Sequence, residues 1–149
     1  ALTVVQWYQQ RWQIEQLFRT LKRQGLALES SQLEHADELL KLACIATLAA
    51  ARTMQLVNAR DGQTQQAASD AFDQDELTVL EHLQGKFEGK TVRLKNPYPV
   101  HSMAWAAWTI ARVGGWNVGE GKPGPITMLR GQQRFDSTVV GWRLAKMWA

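Results

Sequence analysis

The segment from Ala36 to Asn58 constrains the fold more strongly than any other part of the chain. Its apolar side chains cover most of the circumference of a helix, and they are Leu39, Leu40, Leu42, Ala43, Ile45, Ala46, Leu48 and Ala49. A helix that is apolar nearly all round is typical of a buried position. Lys41, Arg52 and Gln55 interrupt the run, so we do not expect it to span a membrane. The pattern predicts a long helix central to the core, with Cys44 as one of its buried small side chains.

Apolar side chains at helical spacing predict further helices over residues 2–24, 75–84, 102–113 and 126–147. No segment alternates clearly enough to predict a strand. Glycine and proline mark the breaks at 85–99 and 119–125, where we expect loops. Trp105 and Trp108 are expected in the core rather than on a surface for base stacking. The predicted fold class is therefore all-α.

Charge is distributed unevenly along the chain, although the net charge is only +3. Residues 26–85 hold ten acids and three bases, whereas residues 86–149 hold ten bases and three acids. Four of those bases, Lys86, Lys90, Arg93 and Lys95, fall in the loop predicted at 85–99. From the sequence, a solvated loop and a contact with a DNA backbone are almost equally good interpretations.

The first predicted helix carries a polar stripe. At roughly 100° per residue, its members share an arc of about 80°, and they are Tyr8, Arg11, Glu15, Arg19 and Lys22. The apolar residues lie opposite and beside this stripe, and they are Trp7, Ile14, Leu17, Phe18 and Leu21. Periodicity alone favours an exposed face with ordinary ion pairs four residues apart. Trp12 lies outside the apolar arc, where it either covers the edge of a site or meets a part of the protein outside this chain.

The order and spacing Tyr8-x2-Arg11-x3-Glu15-x6-Lys22 resembles the Y-R-E-K signature of bacterial insertion-sequence transposases of the DDE type, in the family named after insertion sequence four. Downstream, the segment from Met103 to Trp116 looks like that family's Ile-Ala-Arg-Leu-Gly-Gly-aromatic segment. The ending, from 124 to 142, is similar to its C-terminal helical region. The resemblance thus extends over nearly the whole chain.

This resemblance implies a site. In such enzymes three carboxylates on a ribonuclease-H-like core hold two Mg²⁺ (or Mn²⁺) ions, which promote in-line attack on phosphorus. Glu15 is then expected to be the third catalytic carboxylate and a metal ligand. Tyr8, Arg11, Arg19 and Lys22 are expected to contact DNA phosphates.

The two aspartates of such a site precede the glutamate, yet residues 1–14 contain no acid. The resemblance therefore implies that both aspartates, and most of the ribonuclease-H-like sheet, lie upstream of Ala1. This chain alone is expected to be inactive and to bind no metal ion tightly. Residues 1–25 would end the catalytic domain, 26–100 would form a helical region with a basic loop at 86–95, and 101–149 would form a C-terminal helical region for dimerisation.

The function implied is cut-and-paste DNA transposition, meaning strand cleavage and strand transfer at transposon ends. The expected partners are transposon-end DNA, target DNA and a second copy of the protein, without a membrane, in the bacterial cytoplasm at the nucleoid. A different interpretation remains open. The chain could instead be a non-catalytic α-helical module for DNA binding or dimerisation, such as a truncated transposase inhibitor.

Overall fold

The structure is a computed structural model that describes residues 2–23 and 31–149. Five α-helices span these residues: α1 (Leu2–Arg23), α2 (Ala36–Ala59), α3 (Gln74–Phe87), α4 (Met103–Val113) and α5 (Pro125–Trp148). Two short 3₁₀ turns lie at Ala68–Asp70 and Val92–Leu94. No strand occurs in the described ranges, where only an isolated bridge joins Ala67 and Ser102. The all-α prediction is confirmed.

The chain forms two compact units, residues 1–54 and 55–149. In the first unit, Leu17 of α1 packs against Ala46 and Ala50 of α2. The prediction that α2 is central to the core is wrong for much of this part of the helix, because Leu40 and Leu48 are 65% and 71% exposed. The small alanines at 46 and 50 form one narrow contact face, whereas Leu40, Ile45 and Leu48 are each at least 65% exposed.

Cys44 lies on the open side of α2 and is exposed, so the prediction that it is buried is also wrong. Helical periodicity shows which residues share a face, but a helix that is apolar all round does not indicate which face will be covered.

By length and composition alone α2 could cross a membrane, with a mean hydropathy of 1.3 over its most apolar window. Core helices of soluble proteins pass the same test, so this is weak evidence.

The last turns of α2 belong to the core of the second unit, where Leu56, Val57 and Ala59 are at most 2% exposed.

The core of the second unit is built around α4. Every residue of this helix except Arg112 is buried. Helices α3 and α5 pack against it through apolar side chains, chiefly Leu77, Leu80, Met128, Phe135 and Val139. Trp105 and Trp108 are 0% and 4% exposed, which confirms their prediction as core residues and leaves no ring face for base stacking.

Gly114 allows α4 and α5 to approach closely, and Gly115 turns the chain after α4. A Cβ atom on Gly114 would lie 2.2 Å from the Thr127 carbonyl oxygen. Gly115 has a φ of +92°, a conformation that favours glycine and turns the chain after α4. The Gly-Gly pair at this point therefore has a structural role.

Two arginines, Arg112 and Arg134, donate hydrogen bonds to backbone carbonyls at and just after the C-terminal end of α4. Arg112 donates from Nη1 to the Trp116 carbonyl at 2.8 Å, and its guanidinium lies 5.9 Å from the Trp108 ring centroid. Arg134 of α5 donates from Nη1 to the Val113 carbonyl at 2.9 Å. The contact to Val113 satisfies a carbonyl group that the end of a helix leaves without a partner, and the contact to Trp116 holds the turn after the helix. Both cations therefore have packing roles in the second unit.

Candidate DNA-binding face of helix α1

Helix α1 is continuous from Leu2 to Arg23, so positions 8, 11, 15, 19 and 22 fall on one side of a single rigid element. The side chains of Tyr8, Arg11, Glu15 and Arg19 are exposed. Lys22 lies within the helix, but its side chain is outside the described residues. The polar stripe predicted from the sequence is thus an open helix face at each of the four positions whose side chains are described.

Arg11 and Glu15 form an ion pair one helical turn apart. The Arg11 Nε atom donates to Glu15 Oε1 at 3.0 Å. Their side chains are 76% and 59% exposed, so water screens the pair and its contribution to stability is small. Both groups therefore remain accessible to a ligand that approaches this face.

Tyr8, Arg11, Trp12 and Glu15 line an open groove of about 310 Å³. The groove combines a phenol, a guanidinium, an indole and a carboxylate, so it offers hydrogen-bond donors and acceptors beside an aromatic surface. Trp12 borders Glu15 here and is 43% exposed, and both interpretations of this side chain stay predictions.

The apolar side of α1 is only partly used in the first unit. Leu17 packs against α2, whereas Ile14 and Phe18 are more than half exposed. The side chains of Trp7 and Leu21 lie outside the described residues.

Residues 1–50 match a protein-family model described as "Transposase DDE domain". The match supports a transposase of the DDE type. It includes all five positions of the polar stripe, together with α2 as far as Ala50. No curated protein matches the chain. Transposases of this type are enzymes that act on DNA and generally use divalent metal ions.

The described residues do not form a complete metal site for such an enzyme. Among residues 2–23 and 31–149, no three His, Cys, Asp or Glu side chains come close enough together to hold a metal ion. Glu15 offers one exposed carboxylate, and one of its oxygens accepts the hydrogen bond from Arg11. A single carboxylate is a poor ligand set for Mg²⁺, so Glu15 can contribute to a metal site but cannot constitute one.

Proposed function

We propose that this chain is part of a cut-and-paste DNA transposase of the insertion-sequence-four family, in which α1 supplies the third catalytic carboxylate, Glu15. The observation that carries the proposal is the position of this residue. Glu15 lies on an exposed helix face, in a groove with Tyr8 and Arg11, inside the residues that match the Transposase DDE domain. In this role Glu15 ligates Mg²⁺ or Mn²⁺ together with acids that the described residues do not provide.

The cations of the same face are proposed to bind the phosphates of the transposon end. From Arg11 to Lys22 the helix extends about 16 Å, a length that matches several phosphates at roughly 3.4 Å per nucleotide of one strand. Arg11 is suited to this because its guanidinium can bind a phosphate with two parallel hydrogen bonds. Tyr8, which is 74% exposed, adds a hydroxyl donor.

This arrangement explains why a carboxylate that is proposed to bind metal has cations around it on the same helix face. In the protein without DNA, Arg11 is paired with Glu15. When phosphates are bound, they offer Arg11 another anionic partner, and the carboxylate oxygen that Arg11 leaves would be free to ligate a metal ion. One rigid helix then positions both the DNA backbone and the metal ligand.

The test is Glu15→Gln in the intact transposase. Cleavage of transposon ends should be abolished, while binding of end DNA changes by less than about threefold, because the amide retains the shape of the side chain but is a poor metal ligand. Glu38→Gln is the matched control, since Glu38 is another exposed glutamate of the same unit. Cleavage by the Glu15→Gln protein at the wild-type rate would overturn the catalytic assignment.

A dimer contact is proposed at the end of α5. Four apolar side chains there follow helical spacing and are more than half exposed: Val140, Leu144, Met147 and Trp148. A second copy of the protein is the proposed occupant of this stripe. Leu144→Asp should then shift the protein toward monomer in sedimentation equilibrium, whereas Ser137→Asp, at an exposed polar position of the same helix, should not.

A second candidate function is that of a module without catalytic activity. A non-catalytic module for DNA binding or dimerisation would act as an inhibitor of an intact transposase. Adding this chain to the intact enzyme distinguishes the two. If the Glu15→Gln chain still inhibits the intact transposase and the Leu144→Asp chain does not, the result would favour the interpretation as an inhibitor.

A further inference from the structure

Folding pairs three cations of the basic C-terminal part of the sequence with acids of the second unit. Arg143, near the end of α5, pairs with Asp73 at the start of α3, and Lys146 Nζ lies 2.8 Å from Asp75 Oδ1. Lys122 Nζ lies 2.7 Å from Asp61 Oδ2. Acids from the acidic part of the sequence thus meet cations from the basic part at the surface of the unit.

The basic loop, residues 86–95, is different. Its first two residues form the end of α3, so the prediction that the loop begins at residue 85 is wrong, and Lys86 lies in the last turn of that helix. The four cations of the basic loop are all exposed: Lys86, Lys90, Arg93 and Lys95. Within the part of the chain that the structure describes, no ion pair joins any of them to an acid. A group of unpaired cations with one sign of charge attracts a polyanion.

Glu88, the one acid in the basic loop, is engaged with the protein. Its Oε1 atom accepts hydrogen bonds from Gln84 Nε2 at 2.7 Å and from the Asn96 backbone N–H at 3.0 Å. These two hydrogen bonds, followed by a smaller effect of the nearby Lys95 charge, lower the pKa of Glu88 below its usual value, so the carboxylate stays ionised while it organises the backbone.

The backbone of the basic loop is held in place before any ligand binds. The Gly89 N–H donates to the Leu94 carbonyl at 3.2 Å, and the 3₁₀ turn Val92–Leu94 closes the segment between them. Asn96 Nδ2 donates to the Trp105 carbonyl at 3.0 Å, which ties the end of the loop to the buried helix α4. A preorganised loop loses little conformational entropy when it binds.

The guanidinium of Arg93 lies against the backbone of the connector between α4 and α5. A Cβ atom on Gly119 would be 2.6 Å from Arg93 Nη2. This packing restricts the position of the cation but leaves the residue exposed.

We propose that the basic loop is a second DNA-contact surface, which binds the phosphate backbone of duplex DNA without reading its sequence. The choice of DNA as the ligand rests on the proposed function. The choice of backbone rests on composition, because Phe87, the one aromatic residue of the basic loop, is partly buried at the end of α3 and no strongly exposed ring is present in the loop to stack on an unpaired base. Val92 is the one fully apolar side chain of the loop that is strongly exposed, too little for insertion into a lipid surface.

The test compares two double variants of the whole chain with the same change of net charge. Lys90→Gln with Lys95→Gln removes two cations that form no direct ion pair in the described ranges, and Lys122→Gln with Lys146→Gln removes two cations that are ion-paired with carboxylates. Binding of a labelled duplex is measured from 50 to 200 mM KCl. We expect the loop variant to lower the slope of log K against log [KCl] by about 1.8 units, at 0.9 per phosphate contact, and the control variant to leave it unchanged. Equal slopes for the wild type and the loop variant, or an equal loss in both variants, would overturn the proposal.

A third variant separates this inference from the proposed function. Arg11→Ala with Arg19→Ala removes cations from α1 only. If this variant lowers the slope and the loop variant does not, the loop inference is wrong and the α1 assignment stands. If the loop variant alone lowers the slope, the loop assignment stands and the phosphate contacts proposed for α1 are wrong. Tighter, loop-dependent binding to vesicles of anionic lipid than to the duplex would overturn DNA as the ligand.

Discussion

Gly131 in α5 lies so close to the Ile110 carbonyl oxygen in α4 that a Cβ atom on residue 131 would be 2.0 Å from that oxygen. Ile110 is completely buried, and its side chain also lies against the glycine. Gly114 makes the reciprocal contact, with the Thr127 carbonyl. The two glycines therefore set the distance between the helices that form the centre of the second unit.

Gly131→Ala is expected to reduce the free energy of unfolding by about 2 to 3 kcal/mol. The added methyl group must displace backbone rather than the flexible end of a side chain, and overpacking of a core commonly costs about 1 to 3 kcal/mol. Urea denaturation followed by circular dichroism measures the change.

Gly141→Ala is the matched control on the same helix. No atom lies within 4 Å of a Cβ atom built there. Alanine has a higher helix propensity than glycine, so this variant should be more stable than the wild type by about 0.5 to 1 kcal/mol. Similar stability of the two alanine variants would show that the close contact at Gly131 is not significant.

Asp73 begins α3 with a capping box. Its side chain accepts the Glu76 backbone N–H at 3.0 Å, and the Glu76 side chain accepts the Asp73 N–H at 2.8 Å. Arg143 also donates to Asp73. Asp73→Ala should reduce the free energy of unfolding by about 1 kcal/mol at pH 7 because the cap is lost. Asp73→Asn should cost less, since asparagine caps a helix nearly as well and loses only the charge.

The stabilisation from Asp73 should depend on pH in the acid range. The hydrogen bond from the Glu76 backbone, followed by that from Arg143, lowers the pKa of Asp73 below its ordinary value of 3.8. A carboxyl group with a lowered pKa in the folded state stabilises the protein above the ordinary value, and this stabilisation is lost as the pH falls through the folded-state pKa. The gap in unfolding free energy between the wild type and Asp73→Asn should therefore shrink below about pH 4. A constant gap from pH 7 to pH 2 would contradict this.

The sequence predicted the helices well because each one repeats apolar side chains over several turns. It could not predict which side of α2 is covered, since Leu40, Cys44 and Leu48 are as apolar as the residues that pack. The pairing of Asp73 with Arg143 could not be predicted from the sequence either, because the two residues are 70 positions apart and only the packing of α3 with α5 brings them together. Arg143 therefore has an acidic partner in the folded protein, whereas the cations of the basic loop form no such ion pair in the described residues.

For the candidate site, the sequence predicted the polar face of α1 because helical geometry alone brings its residues together. The exposure of Tyr8, Arg11 and Glu15 and the pair between Arg11 and Glu15 are local features of one helix. The chemical roles of these residues depend on groups that lie outside the helix, and they stay predictions.

Arg11→Ala should affect DNA binding but hardly affect stability. The Arg11–Glu15 pair is exposed, so its loss should change the free energy of unfolding by no more than about 0.5 kcal/mol. If Arg11 contacts one phosphate, the salt slope for duplex binding should fall by about 0.9. Arg11→Lys keeps the charge and should keep the slope. An unfolding change above about 1 kcal/mol with an unaltered slope would indicate a structural role instead.

Mg²⁺ should leave the stability of this chain almost unchanged. A ligand that binds only the folded state stabilises it by RT ln(1 + [L]/Kd), so at 10 mM Mg²⁺ a site with a Kd of about 1 mM would add about 1.4 kcal/mol. Glu15 brings one carboxylate, and one of its oxygens is hydrogen-bonded to Arg11, so we expect a shift below about 0.4 kcal/mol in thermal denaturation. Glu15→Gln should show the same small response as the wild type. A shift above about 1 kcal/mol that Glu15→Gln removes would mean that the chain completes a metal site on its own, and metal-dependent strand transfer by the chain alone would mean the same.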